Sequence, residues 1–154
     1  MSRAFVRESD QDTESLPERV ISPHPNFVTS AGLRHIEEQI RELETARRAA
    51  RDQDDRTALA RIERDLRYWT QRRVSARVVE PAAAPGTVRF GVKVTLGSAG
   101  GSRREFRIVG EDEAEPAQGR ISWVSPLAVA LIGKTLGDMV EFQGQDAEIV
   151  RLEA

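Results

Sequence analysis

Two short apolar seams, each spaced three, four and three residues apart, constrain this chain more than any other feature. The first is Leu33, Ile36, Ile40 and Leu43, and the second is Leu59, Ile62, Leu66 and Trp69. This spacing puts the apolar side chains on one stripe of a helix, the pattern of a two-helix contact. Between them the first seam thins to Ala46, Ala49 and Ala50, and Asp52-Gln53-Asp54-Asp55 breaks the pattern. Aspartate is poor inside a helix and good at its start, so Asp54 or Asp55 is expected to open the second helix. Thr29 or Ser30 can cap the first. Two matching seams joined by a short polar link predict an antiparallel helical hairpin, a coiled coil with arms of about 20 residues and about 30 Å each. Arg34 with Glu38 and Glu37 with Arg41 sit one turn apart on its solvated side.

The period changes after the hairpin. Pro81-Ala-Ala-Ala-Pro85-Gly86 reads as a linker. Then Val88, Phe90, Val92, Val94 and Leu96 alternate with mostly polar residues, as in a half-buried strand. Gly97 to Gly101 is a turn and Arg104 to Val109 the returning strand. Ile121 to Val124 reads as a third strand, Pro126 to Ile132 as a short helix, and Met139 to Phe142 and Glu148 to Leu152 as the last strands. The fold class is α+β: a helical hairpin followed by a small antiparallel β-domain with a short helix. The divisions are a polar arm over 1–26, the hairpin over 27–80, a linker over 81–87 and the β-domain over 88–154. The arm is polar and acidic with three prolines, so it is expected to be flexible, settling on the rest through Phe5, Val20 and Ile21.

Composition removes several function classes. The chain has no cysteine, which excludes disulfides, thiolate zinc sites and cysteine nucleophiles. Its two histidines, His24 and His35, read as ordinary surface or packing residues. A net charge of −2 argues against a protein whose main task is gripping nucleic acid. Residues 30–80 carry 12 basic and 10 acidic side chains against 8 and 10 in residues 81–154, so the basic excess lies in the hairpin. No stretch is apolar enough to span a bilayer and Met1 to Val20 has no signal-peptide core, so a cytoplasmic protein without a membrane partner is expected.

The β-rich half resembles a known family. The runs Val88-Arg-Phe-Gly-Val-Lys-Val, Phe106-Arg-Ile-Val-Gly110-Glu-Asp-Glu-Ala114 and Ile121-Ser-Trp-Val-Ser-Pro126-Leu-Ala-Val-Ala-Leu-Ile-Gly133-Lys, with Gly137-Asp138, are similar in order and spacing to the C-terminal domain of GreA and GreB. These are bacterial transcription elongation factors. Phe27 to Leu33 resembles the opening of the family's first helix. Asp65-Leu-Arg-Tyr-Trp-Thr, running to Val79, resembles the end of its second, with a GreB flavour. The resemblance implies an FKBP-like β-domain, though fold alone does not imply isomerase activity.

In that family the hairpin enters the secondary channel of RNA polymerase. Its tip carboxylates help hold a second Mg²⁺ in the polymerase active site, where the ion activates water to cut backtracked RNA. The resemblance therefore implies RNA polymerase as partner and no catalytic residues or bound cofactor of the chain's own. The only metal would be Mg²⁺ shared with the polymerase, with Asp54 and Asp55 as candidate ligands and Asp52 in reserve. Arg47, Arg48, Arg51 and Arg56 flank the tip as candidates for contact with polymerase or the nascent RNA end, arginine suiting phosphate through its planar fork. Ser125-Pro126-Leu127 is the candidate docking edge on the polymerase, with Ser125 capping the short helix and proline in its first turn. The chain is expected to act as a monomer.

It departs from the family at the tip. The usual string, roughly Gly-Asp-x-x-Glu-Asn-Ala-Glu-Tyr, is missing, and each arm is about a dozen residues short, or about 18 Å less reach. A short hairpin with the same β-domain also resembles Rnk-type regulators of nucleoside diphosphate kinase, which bind polymerase without a cleaving tip. Two functions follow: stimulation of RNA cleavage, or non-cleaving regulation. Elsewhere, Glu111-Asp112-Glu113 after Gly110 reads as an acidic turn ending a strand, and Tyr68 and Trp69 as packing residues near the hairpin base.

Overall fold

The computed structural model describes residues 16–154; Phe5, one of the expected anchors of the arm, lies outside them. Helix α1 spans Ser30–Asp52 and α2 spans Arg56–Ser75. Thr29 fills the first cap, its Oγ1 accepting from the Gly32 N–H at 3.0 Å, and Asp55 fills the second, its Oδ1 accepting from the Ala58 N–H at 3.0 Å. Each satisfies a backbone donor that has no partner within its helix. The two seams meet as their spacing requires. Ile36, Ile62, Leu66 and Trp69 are buried, and Leu33, Ile40, Leu43 and Leu59 pack around them. Burying side chains of this size contributes about 1.5–3 kcal/mol each. Towards the tip, Ala46, Ala50 and Ala58 let the helices close.

Two-residue strands pin the base of the hairpin: β1 (Phe27–Val28) runs parallel to β2 (Arg77–Val78). Asn26, buried beside them, donates from Nδ2 to the Arg72 carbonyl at 2.7 Å and to Ser75 Oγ at 3.2 Å. It thereby satisfies one of the carbonyls that end α2.

The β-domain contains β3 (Lys93–Ser98), β4 (Arg103–Val109), β5 (Arg120–Ser122), helix α3 (Pro126–Leu131), β6 (Met139–Phe142) and β7 (Gln145–Glu153). Its sheet has the order β5-β4-β3-β7-β6. All pairings are antiparallel except β4 with β5, which is parallel. The sheet is therefore mixed at this edge. Parallel neighbours need a crossover rather than a tight turn, and residues 110–119 supply it through 3-10 turns at Glu111–Glu113 and Pro116–Gln118.

The alternating run at Val88 does not form strand along its whole length. Gly91 adopts φ +86°, a conformation that glycine reaches without steric cost, and regular pairing starts only at Lys93. Val88 instead pairs with the segment after α3, donating to the Lys134 carbonyl at 2.8 Å and accepting from Gly133 N–H at 2.9 Å. The alternation still marks burial: Val88, Val92, Val94 and Leu96 join Phe106, Ile108, Ile121, Leu131 and Ile149 in the core. No described helix is long and apolar enough to cross a membrane.

Candidate functional site

The far end of the hairpin carries the candidate carboxylates. Asp52 ends α1, Gln53 follows, and Asp54 turns the chain with φ +50° before Asp55 caps α2. Left-handed backbone disfavours most side chains, and aspartate is among the few that enter it routinely. All three carboxylates are exposed. Asp55 is committed through one oxygen to its cap, while the structure gives Asp52 and Asp54 no side-chain hydrogen bond among the described residues. Their hard oxygens suit Mg²⁺, which keeps several waters and takes one or two carboxylates. Among the described residues, however, no three carboxylate or imidazole groups converge to hold a metal. An ion at this tip would need further ligands from a partner.

Arg47 and Arg51 lie four residues apart and Arg48 and Arg51 three apart, so the three share one side of the last turns of α1. Arg51 Nη2 lies 3.7 Å from Glu63 Oε1 across the hairpin. Arg56 opens α2, where the helix dipole disfavours a cation, so helix stability does not account for it.

The base is the opposite environment, and here the acidic turn does more than end a strand. Arg72, only 2% exposed, places Nε 2.6 Å from Asp112 Oδ2 and Nη2 3.9 Å from Glu111 Oε2. Tyr68 donates its hydroxyl to the other Asp112 oxygen. Burial first, and then the hydrogen bond to Asp112, push the tyrosine pKa up to about 12. Glu113 joins the two parts again. Its carboxylate accepts from Thr29 N–H at 3.0 Å, from the Thr29 hydroxyl, and from Gly110 N–H at 3.1 Å. Close approach of backbone requires glycine at Gly110, while Gly32 leaves room for the Glu113 side chain. A Cβ on Gly110 would lie 2.4 Å from the Phe27 carbonyl oxygen, and one on Gly32 would lie 2.1 Å from Glu113 Cδ. Trp69 packs as expected and His35 meets its ring edge-on, 5.6 Å between centroids.

At the candidate docking edge, Ser125 stands at the N-cap position of α3, but its hydroxyl donates to the Ser122 carbonyl at 2.6 Å and makes no capping bond. The expected serine cap is therefore absent, the hydroxyl being used to close the preceding turn. Pro126 is exposed in the first turn of α3, and Leu127 packs against the core. Beside this edge His24, Trp123, Val124, Val129 and Ile132 line a shallow apolar concavity of about 290 Å³. Val129 is 62% exposed, more than its apolar character would predict. The sequence signal was present in Trp123 and Val129, but α3 is too short for its exposed face to show as a period.

The family model described as "Transcription elongation factor, GreA/GreB, C-term" matches residues 82–153. The GreB of Neisseria meningitidis serogroup A is 33% identical over 135 residues, covering 75% of this chain and 83% of the relative. This chain belongs to the GreA/GreB family. The GreA of Paracoccus denitrificans is 32% identical over 133 residues, covering 74% of the chain and 85% of the relative. Among solved structures, a GreA/GreB factor from Nitrosomonas europaea covers 84% of the chain and 99% of its own at 20% identity and TM-score 0.43. Gfh1 of Thermus thermophilus, a GreA homologue, covers 85% and 100% at 21% and 0.42. The family model lies on the β-domain, where the longest of the quoted runs also lie.

Proposed function

We propose that this protein is a cytoplasmic transcription elongation factor that acts as a monomer on RNA polymerase, docks through its β-domain and presents its hairpin tip in the secondary channel. The observation that carries this reading is the pairing of a Gre-type β-domain with a hairpin whose far end holds three exposed aspartates. The chain performs no reaction alone. At the tip, Asp52 and Asp54 are the free carboxylates, and Asp55 splits its oxygens between the helix cap and solvent. They would share a Mg²⁺ with the polymerase, and the ion would supply activated water for RNA cleavage. Arg47, Arg48 and Arg56 would meet phosphates of the extruded RNA end or acidic groups of the channel. Arg56 supports this most, since it stands where the helix itself gains nothing from a cation.

The test is transcript shortening by stalled, backtracked polymerase, comparing wild type with Asp52→Asn/Asp54→Asn. Cleavage by wild type that falls at least about tenfold in the variant, about 1.4 kcal/mol of barrier, supports metal sharing. Equal cleavage by both removes the aspartates from that role.

A second reading is favoured by the short arms, of 23 and 20 residues: a non-cleaving regulator of Rnk type that occupies the channel without acid delivery. It predicts no RNA shortening, but competition with a cleavage-competent Gre factor for polymerase. Failure to bind polymerase at all overturns both.

A further inference from the structure

Residues 16–25 form neither helix nor strand, yet they touch both parts of the molecule. The first half lies on α2. Glu18 accepts from Arg67 Nη2 at 2.6 Å and from its Nε at 3.1 Å. Arg19 lies 3.6 Å from Asp65 and lays its guanidinium 3.8 Å from the centroid of the Tyr68 ring. The second half lies on the β-domain. Ser22 donates its hydroxyl to Glu111 at 3.0 Å, and the His24 ring meets Trp123 edge-on, 5.8 Å between centroids. Of the expected anchors within the described residues, Val20 is 88% exposed and Ile21 37%, so polar and aromatic side chains carry the contacts named above.

We propose that residues 16–24 are a strap that fixes the angle between hairpin and β-domain. The acidic turn is one attachment: Asp112 on Arg72 and Glu113 on Thr29 hold the base of the hairpin at adjacent residues, and bonds so close together act as a pivot. The strap adds a second, reaching Asp65 about 10 Å further along α2 on one side and Trp123 on the other. The two attachments meet at Tyr68, whose ring face takes Arg19 and whose hydroxyl takes Asp112. The leverage is large. A rotation of about 10° at the base moves the tip of a hairpin about 30 Å long by about 5 Å, more than a carboxylate's ligand distance.

The two attachments differ in their response to salt. Arg67 and Glu18 are more than half exposed, so salt screens their attraction, whereas Arg72 is shielded from solvent.

The chain has no cysteine, so cysteines introduced at Gln53 and Ala99, both exposed, take spin labels at the tip and on the β-domain alone. The tip-to-domain distance distribution is then measured by pulsed dipolar spectroscopy in the full chain. Replacing Arg19, Ser22 and His24 together by alanine should broaden the distribution about twofold, as expected when a hinge loses one of two attachments. An unchanged width, with helical circular dichroism intact, overturns the strap. Should the triple variant lose its helical signal, the unsubstituted labelled chain decides: broadening between low and high salt supports the strap, and a constant width overturns it. Neither measurement involves polymerase, so it stands apart from the cleavage test.

Discussion

At its base the hairpin meets the β-domain through Arg72, Asp112, Glu113 and Thr29, all buried or half-buried, whereas its tip meets solvent through Asp52, Asp54 and Arg56. Both ends carry the same kinds of charged residue. What separates them is the medium. Taking Arg72 and Asp112 out of water makes each depend on the other, since an unpaired buried charge is far costlier than an exposed one. The tip aspartates keep their water and remain available to an outside ion. The difference teaches that an enclosed charge is bound into the architecture here, whereas an exposed one stays free for an outside partner.

The sharpest way to break this comparison is Arg72→Ala. It leaves Asp112 enclosed without its cation and should cost about 3–5 kcal/mol, read by urea denaturation. The double variant Arg72→Met/Asp112→Leu should recover part of that loss, because Asp112 is no longer stranded, while Glu111 and the Tyr68 hydroxyl still lose their partners. A loss below about 1 kcal/mol for Arg72→Ala would mean that solvent already reaches this junction as it reaches the tip.

Gly110→Ala comes next. Its Cβ would sit 2.4 Å from a backbone oxygen, so β1 and the acidic turn must separate, at a cost of about 1–3 kcal/mol. Asp55→Ala at the other end removes only a cap and should cost about 1 kcal/mol. Hydrogen exchange should show that loss as faster opening of the first turn of α2, with the base unaffected.

The smallest effect at neutral pH concerns Tyr68, the chain's single tyrosine, which makes its ultraviolet titration unambiguous. Its folded pKa, near 12, lies above the ordinary value of 10.0. The neutral form is thus favoured by folding. The associated stability is fully present below about pH 10 and is lost as pH rises towards 12. Phenolate formation near 10 in the native protein would show that the Asp112 hydrogen bond and the burial around it are not maintained.

Much of the hairpin was legible because helical packing is periodic. Leu33 to Leu43 and Leu59 to Trp69 repeat at the pitch of the helix, and each capping residue lies within three positions of the N–H that it satisfies. The alternation from Val88 to Leu96 likewise named the buried face, although Gly91 displaced the start of the strand. The acidic turn was a different case. Glu111-Asp112-Glu113 has the local look of a solvated turn, and its partners Arg72 and Thr29 stand 40 and 84 positions away. No spacing rule links them. Ser125 shows the converse: a good cap type in the cap position used its hydroxyl for a neighbouring carbonyl instead.

The sequence by itself determined the two seams, the break at Asp52–Asp55, the alternating β core and the family, all of which depend on order and spacing along the chain. Only the tertiary structure decided which charges are enclosed and which are free. Enclosure depends on what folds over a residue from elsewhere, and here it is the β4–β5 crossover that brings Asp112 down on Arg72 while leaving the tip of the hairpin in water.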